Sequence, residues 1–512
     1  MKRVLYNTSI ADPFVKVAQK LRDENGYEPV YWIGFDYDHS DEIVPQTFPN
    51  CVYQSYPDAW HGIFSKDIQE KAASCYLDVD MLNRLARYEL QALTMMNRMD
   101  HDRYSFNLME RERHYLNLMK CWMAVIESYQ IDMVVSSVAP HRVYDYVLYL
   151  LCKEKGIRFI TFQYTLTSGR VYATDNIYTN GDIFDADYLK YRQQDGLSTD
   201  MLPTDIREAF DKVQLDYEKA KPFYMNAHNI ADKSMRNIFK YAKRYWGRYS
   251  FKEKMQILRR GKIGSTMRKE RGCSLETSSE TLWQAAVLDI KANRDRDRLK
   301  KHYDSLTSQP KSDEKYIFLP LHYQPEATTC PAGDIFANQR LCIETILKNT
   351  PDDYLVYVKE HPQQFQSHML GQTCRNKDFY SDIVKSSRVK LMPLEMNSFS
   401  IMKNAKAVAT VTGTVGWEAV MHHIPVIIFG IIWYERMPGV LRVTDSESAR
   451  KIMPLIENYS FSEHDILAYL LSVADNTKQA YHYAGEKERT GISESDSVRN
   501  LASVILSFEK QL

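Results

Sequence analysis

Between Tyr316 and Gly430 short apolar runs alternate with helical segments: YIFLPL (316–321), YLVYVKEHP (354–362), AVATVTGT (407–414) and PVIIFG (425–430). Runs this apolar bury both faces, which requires parallel strands covered by helices. The alternation therefore predicts an open α/β sheet. Its polar residues gather where strands end, at Gln324–Glu326, Lys359–Pro362 and Thr412–Gly416. Ligands of such sheets bind outside the carboxyl ends of the strands, so the spacing points to a nucleotide site.

A second α/β pattern opens the chain. KRVLY (2–6), a helix from about Asp12 to Glu24, Gly26, and EPVYWIGF (28–35) read as β-α-β. IDMVVSS (131–137), a helix closed by Gly156, and IRFITFQY (157–164) continue it. At 512 residues the chain exceeds a single core. The expected division is an N-terminal Rossmann-like domain over 1–204, a helical basic segment and linker over 205–312, a C-terminal Rossmann-like domain over 313–480 and a terminal helix over 481–512. The acidic loop Asp36, Asp38, Asp41 and Glu42 reads as solvated surface.

The formal net charge is +0, which gives no global field for nucleic acid. Residues 233–271 depart from that balance: fourteen Lys and Arg, from Lys233 to Arg271, face only Glu253 and Glu270, with aromatics such as Tyr241, Trp246 and Phe251 between them. Such a stretch can lie on an anionic bilayer, grip an anionic glycan or, as the weaker option, a nucleic acid, or form a solvated face. The eight scattered cysteines lack a C-x-x-C pair and read as reduced core thiols. No apolar leader or membrane-length run is seen, so a cytoplasmic protein, peripheral at most, is expected.

Three segments carry candidate chemistry. His361 is pinned in extended geometry by Pro362 at a strand end. Thr412, Gly413 and Thr414 lie between a strand and a helix, where Gly413 permits close approach and helix N-terminal amides favour an anion. Glu418 follows one turn later, placed to accept ribose hydroxyls. The long turn after 316–321 holds His322, Gln324 and Glu326, and Glu326 could act as acid, base or anchor. In the N-terminal half, His141 and Asp145 share the face of a helix at its start. They read either as a base with its orienting carboxylate or as an ordinary N-terminal turn. Metal-ligand spacing, a Walker loop, G-x-G-x-x-G and G-x-S-x-G are missing.

FLPLHYQPEATTCPAGDIFANQ, VYVKEHPQQ and VTGTVGWEAVMHHIPVIIFG resemble the C-terminal half of bacterial capsule polysaccharide biosynthesis glycosyltransferases, including the Kdo-transferase type. The resemblance covers about 316–440, with a weaker echo at 139–157. It implies the GT-B architecture, two Rossmann-like domains facing across a cleft, and a metal-independent enzyme without a cofactor. The implied donor is a nucleotide-sugar, a CMP-sugar such as CMP-Kdo favoured, and the implied acceptor a surface glycan or glycolipid. On these residues it implies that His361 contacts the nucleotide, Thr412, Gly413 and Thr414 its phosphate, Glu418 its ribose, and that Glu326 lies near the donor sugar. The base would come from the facing domain, as Asp145 or His141, with Asp12 behind them. A glycerophosphotransferase, a sugar-nucleotide epimerase and a non-catalytic glycan binder remain as alternatives on this scaffold. The T-G-T-V-G turn favours sugar transfer over the first.

Overall fold

The computed structural model describes the chain except residues 9, 36–38, 101–105, 166–168, 181, 216–253, 256–281, 367–369, 482–483 and 511–512. Nearly all of the basic 233–271 segment, with Asp36 and Asp38, lies outside the described residues.

Two sheets organise the rest. The first has the order β13-β6-β5-β4-β1-β2-β3, with β1 Lys2–Asn7, β2 Tyr27–Gly34, β3 Val52–Ser55, β4 Met133–Ser136, β5 Arg158–Tyr164 and β6 Arg170–Thr174. The second has the order β12-β11-β10-β7-β8-β9, with β7 Lys315–Pro320, β8 Tyr354–Lys359, β9 Val389–Leu391, β10 Ala407–Thr410, β11 Val426–Ile428 and β12 Val440–Arg442. Every pairing in the second sheet is parallel. These are two Rossmann-like units, as the alternation predicts.

The first sheet is mixed. β6 runs antiparallel to β5, and β13 (Lys478–Gln479) pairs antiparallel with β6. The turn near Gly169, φ +93°, returns the chain directly without a crossover helix. The chain thus re-enters the first sheet after completing the second, and the helix Glu494–Lys510 packs on the helix Phe14–Asn25 and on β6. Helical composition between 77 and 129 resolves into the helices Val79–Met95 and Leu108–Ser128. The second starts at Asn107, whose side chain caps Glu110 N while Glu110 caps back. Among the described residues no helix is long and apolar enough to cross a membrane.

The strand order fixes where a site can lie. Each sheet reverses winding between its first and fourth strands, β1/β4 and β7/β10, and crevices open at such switch points. At the first, Asn7 Nδ2 donates to Ser136 Oγ (3.1 Å) and Tyr144 hydroxyl donates to Asn7 Oδ1 (3.1 Å). The helix Val143–Glu154 rises from there, buried at every residue from Val143 to Cys152. Packing this complete leaves its first turn little freedom to move.

Candidate active site

At the second switch point β7 and β8 end in His322 and His361. Each imidazole is held in one tautomer by its partners. His361 Nδ1 accepts from the Gln363 amide (3.2 Å), which leaves the proton on Nε2. His322 Nε2 accepts from the Thr412 amide (3.2 Å) and lies 3.0 Å from the Thr410 hydroxyl, so its proton sits on Nδ1. Burial pushes His361 down to about 4 and His322 down to about 3. Both rings are therefore neutral at pH 7, and each offers one N–H donor.

His361 is set in place by Glu360. The Glu360 carboxylate accepts from the His361 amide (2.8 Å), the Tyr380 hydroxyl (2.6 Å) and Arg375 Nε (2.9 Å). The Arg375 and Glu360 side chains are 1 and 0 % exposed. Arg375 also donates to Gln324 Oε1 (2.6 Å), tying the end of β8 to the turn after β7. A buried pair earns its place only with such additional bonds. Neither Glu360 nor Arg375 was marked by the sequence as functional. The E-H-P triplet was the available signal for the first, while Arg375 lies in a polar stretch without periodicity.

The strand–helix turn differs in detail from the phosphate cradle read from its sequence. The Thr412 hydroxyl donates to the Thr328 carbonyl (2.6 Å) and the Gly413 amide donates to Thr410 Oγ1 (3.0 Å). The Thr414 hydroxyl donates to Glu418 (3.2 Å). The threonine hydroxyls, read from the sequence as phosphate donors, are here engaged within the turn itself. What remains for an anion is the start of the helix Thr414–Met421, whose first amides have no acceptor within the helix. Glu418 is buried at 6 % exposure, with Thr414 closing over one oxygen. Its reach to a ribose requires that hydroxyl to move.

In the N-terminal half His141 Nδ1 lies 2.8 Å from the Ala139 carbonyl. A carbonyl only accepts, so Nδ1 carries the proton and Nε2 presents a lone pair. Burial, with the Arg142 and Arg98 guanidinium groups beside it, holds His141 well below the usual histidine range, keeping the imidazole unprotonated. Asp145 does not orient this ring. Its Oδ1 accepts from the His141 amide (3.1 Å) and the Arg142 amide (2.8 Å), closing the first turn of the helix. Its other oxygen is buried without a partner among the described residues, and burial raises the carboxyl to about 7. The His–carboxylate reading of the sequence is corrected accordingly: Ala139 orients His141, and Asp145 shapes the turn. Asp12 is engaged elsewhere, by Tyr481 (3.0 Å) and Lys487 (3.2 Å).

Arg98 joins the halves. It donates to the His141 carbonyl (3.1 Å), and its charge lowers the carboxyl of Glu326 across the cleft. Glu326 reaches solvent, yet the protein crowded round it raises its carboxyl overall, and it accepts from Thr328 (2.9 Å). Thr328 in turn receives Thr412. One loop therefore links the Thr412 turn, Glu326, Arg98 and His141. The structure brings together His141, Asp145 and Glu326 around Arg98, and His361 with the Thr412–Thr414 turn around His322.

A cavity of about 580 Å³ lies between the helix Val79–Met95 and the 324–340 and 373–379 loops. Gln91, Asn97, Asn338 and Arg375 line it; His361, Thr414 and His141 do not. This cavity is a neighbour of the switch-point site.

Residues 306–463 match the family model described as capsule polysaccharide biosynthesis protein. No curated relative matches the chain by sequence. Among solved structures, Thermosulfurimonas dismutans KpsC, beta Kdo 2,7 transferase, is 11% identical over 75% of this chain and 89% of that one, with a TM-score of 0.28. UDP-GlcNAc 2-epimerase from Methanocaldococcus jannaschii is 12% identical over 93% and 99%, with a TM-score of 0.24. Overlaps at these scores carry no inference about activity. The matched segment 306–463 is the one that holds His322, Glu326, His361 and the Thr412–Thr414 turn.

Proposed function

We propose that this chain is a GT-B glycosyltransferase that moves a sugar from a nucleotide donor, a CMP-sugar favoured, to a capsule or other surface glycan or glycolipid. The observation that carries the reading is a complementary pair of neutral histidines, one on each half. His361 presents an Nε2–H donor at a strand end of the C-terminal half, and His141 an Nε2 lone pair after a strand of the N-terminal half. The nucleotide phosphate lies against His361 and the first amides of the helix Thr414–Met421, where developing negative charge meets fixed donors. The acceptor hydroxyl attacks the anomeric carbon, the bond from that carbon to the phosphate oxygen breaks, and the hydroxyl proton passes to His141 Nε2. Glu326 sits beside the donor sugar, and Asp145 positions His141 through the backbone. Attachment at an anionic membrane face through 233–271 belongs to the same reading.

The test begins with thermal stabilisation by CMP-, CDP-, UDP- and GDP-linked donors. With the donor that binds, His141→Ala is expected to lower kcat by about 10²–10⁴-fold while leaving donor affinity unchanged, the range of general-base removal. His361→Ala is expected to weaken donor binding. Unchanged turnover in His141→Ala, or an epimerised or hydrolysed donor as the only product whatever acceptor is supplied, overturns the reading.

A further inference from the structure

The 580 Å³ cavity beside the switch-point site takes no part in the transfer chemistry. Its size falls within the range of small-molecule sites, about 300–1,000 Å³. Both halves build it: Gln91, Thr94 and Asn97 come from the first, and Gln324, Asn338 and Thr373 from the second. The seam between them is held firmly. Gln91 is buried, its oxygen accepts from the Tyr146 (2.9 Å) and Tyr178 (2.8 Å) hydroxyls, and its nitrogen donates to Asp334. Asp334 reaches it from a left-handed backbone, φ +47°, a conformation that a residue other than glycine keeps where its surroundings impose it.

The charges on the wall call for no ionic ligand. Each of its arginines meets a carboxylate: Arg87 with Asp334 (3.6 Å), Arg340 with Asp382 (3.2 Å) and Arg375 with Glu360 (2.9 Å). The groups with capacity to spare are neutral. The Thr94 hydroxyl donates to the Leu90 carbonyl (2.7 Å) and the Thr373 hydroxyl to the Leu370 carbonyl (2.8 Å), so each keeps a lone pair for a ligand. The Asn97 amide nitrogen donates to the Cys374 sulfur at 3.6 Å, which uses one of its two hydrogens. The Asn338 amide nitrogen meets no acceptor among the described residues, while its oxygen accepts from the Arg340 amide (3.3 Å). At the rim stand Leu90 and Ile335, one from each half and both strongly exposed.

Uncharged donors and acceptors with apolar surface at the mouth suit a sugar, whose hydroxyls both donate and accept and whose ring carries an apolar C–H face. We infer that this cavity binds an uncharged oligosaccharide segment, gripped by both halves at once. Asn97 is followed by Arg98, which donates to the His141 carbonyl (3.1 Å), and Gln324 shares its turn with Glu326. The occupant is thus the neutral stretch of glycan behind the acceptor end that meets His141. That last assignment rests on the transferase reading; the sugar site itself does not.

The test titrates the full chain by calorimetry, without nucleotide, against neutral trisaccharides of glucose, galactose, mannose and N-acetylglucosamine, with trigalacturonate as the charged control. At least one neutral trisaccharide is expected to bind, and more tightly than trigalacturonate. Thr94→Val and Asn338→Leu, one on each half and neither in the core, should each weaken it about two- to tenfold, the loss of one neutral hydrogen bond. Nucleotide affinity should be unchanged in both. Cys374, a half-buried thiol on the wall, gives a second readout. The bound trisaccharide should slow its alkylation by N-ethylmaleimide and leave that of Cys75, outside the cavity, unchanged. Binding of every neutral trisaccharide weaker than about 10 mM, or a preference for trigalacturonate, overturns the inference. So does binding that survives both substitutions or leaves Cys374 alkylation unaltered. Failure of the transferase reading shows differently: no nucleotide stabilises the protein, while the trisaccharides still report on the cavity.

Discussion

Replacing Glu360 by alanine probes how the donor side is held. The carboxylate receives three donors, the His361 amide, the Tyr380 hydroxyl and Arg375 Nε. Its removal takes the carboxylate from the Arg375 guanidinium, which is 1 % exposed, and Gln324 Oε1 and the His322 carbonyl do not replace its charge. Breaking one partner out of a buried pair costs about 3–5 kcal/mol. Glu360→Ala should therefore lower the stability of the C-terminal unit by that amount, read as a shift in its urea midpoint with an unchanged slope. The double variant Glu360→Gln/Arg375→Met should recover a large part of the loss, because no uncompensated charge remains. Glu360→Ala should also bind nucleotide more weakly, since the His361 amide loses its anchor. A loss below about 1 kcal/mol for Glu360→Ala, too small for a buried charge left unpaired, would refute the reasoning. So would a double variant no better than the single one.

Two further perturbations follow from the same geometry. Gly416→Ala puts a methyl group against the Tyr434 ring and hydroxyl, so it should destabilise by about 1–3 kcal/mol, with Tyr434→Phe relieving part of the loss; thermal unfolding of the three variants checks this. Buried His114, which lies 3.0 Å from the Trp60 carbonyl, is pushed by burial down to about 3. The unfolded chain thus binds its proton first as pH falls, and stability drops below about pH 6.5. Asp145 acts oppositely: raised to about 7, its folded form holds a proton that the unfolded chain releases, so its contribution is lost as pH rises from about 4 towards 7. Between pH 4 and 6, His114→Gln should remove about 1.4 kcal/mol per pH unit of rising stability, and Asp145→Asn the same amount of falling stability. Denaturation midpoints across that interval measure both slopes.

The strand ends were legible because chain direction and burial leave few other places for polar residues in a parallel sheet. His361, Thr412–Thr414 and Glu326 all lie there, and the alternation alone placed them. The use made of each group was less legible. Whether a threonine hydroxyl meets a phosphate or the Thr328 carbonyl depends on a loop 84 residues away. The His141–Asp145 spacing suggested one helical turn, but the helix starts at Val143, so His141 precedes its N-cap; the carboxylate serves backbone amides and the Ala139 carbonyl holds the ring. Arg98 was invisible because it sits in a methionine-rich helical run whose pattern reads as core. The late strand β13 was missed for a similar reason: it is short, and its pairing with β6, about 300 positions away, leaves no local period.

The central claim is that a nucleotide binds at the ends of β7, β8 and β10, and a crystal structure with the best-stabilising nucleotide tests it most directly. The account predicts a phosphate oxygen about 3 Å from His361 Nε2 and within hydrogen-bond reach of the Thr414 or Val415 amide. A nucleotide seated instead in the 580 Å³ cavity lined by Gln91, Asn97 and Asn338, with His361 untouched, would contradict it.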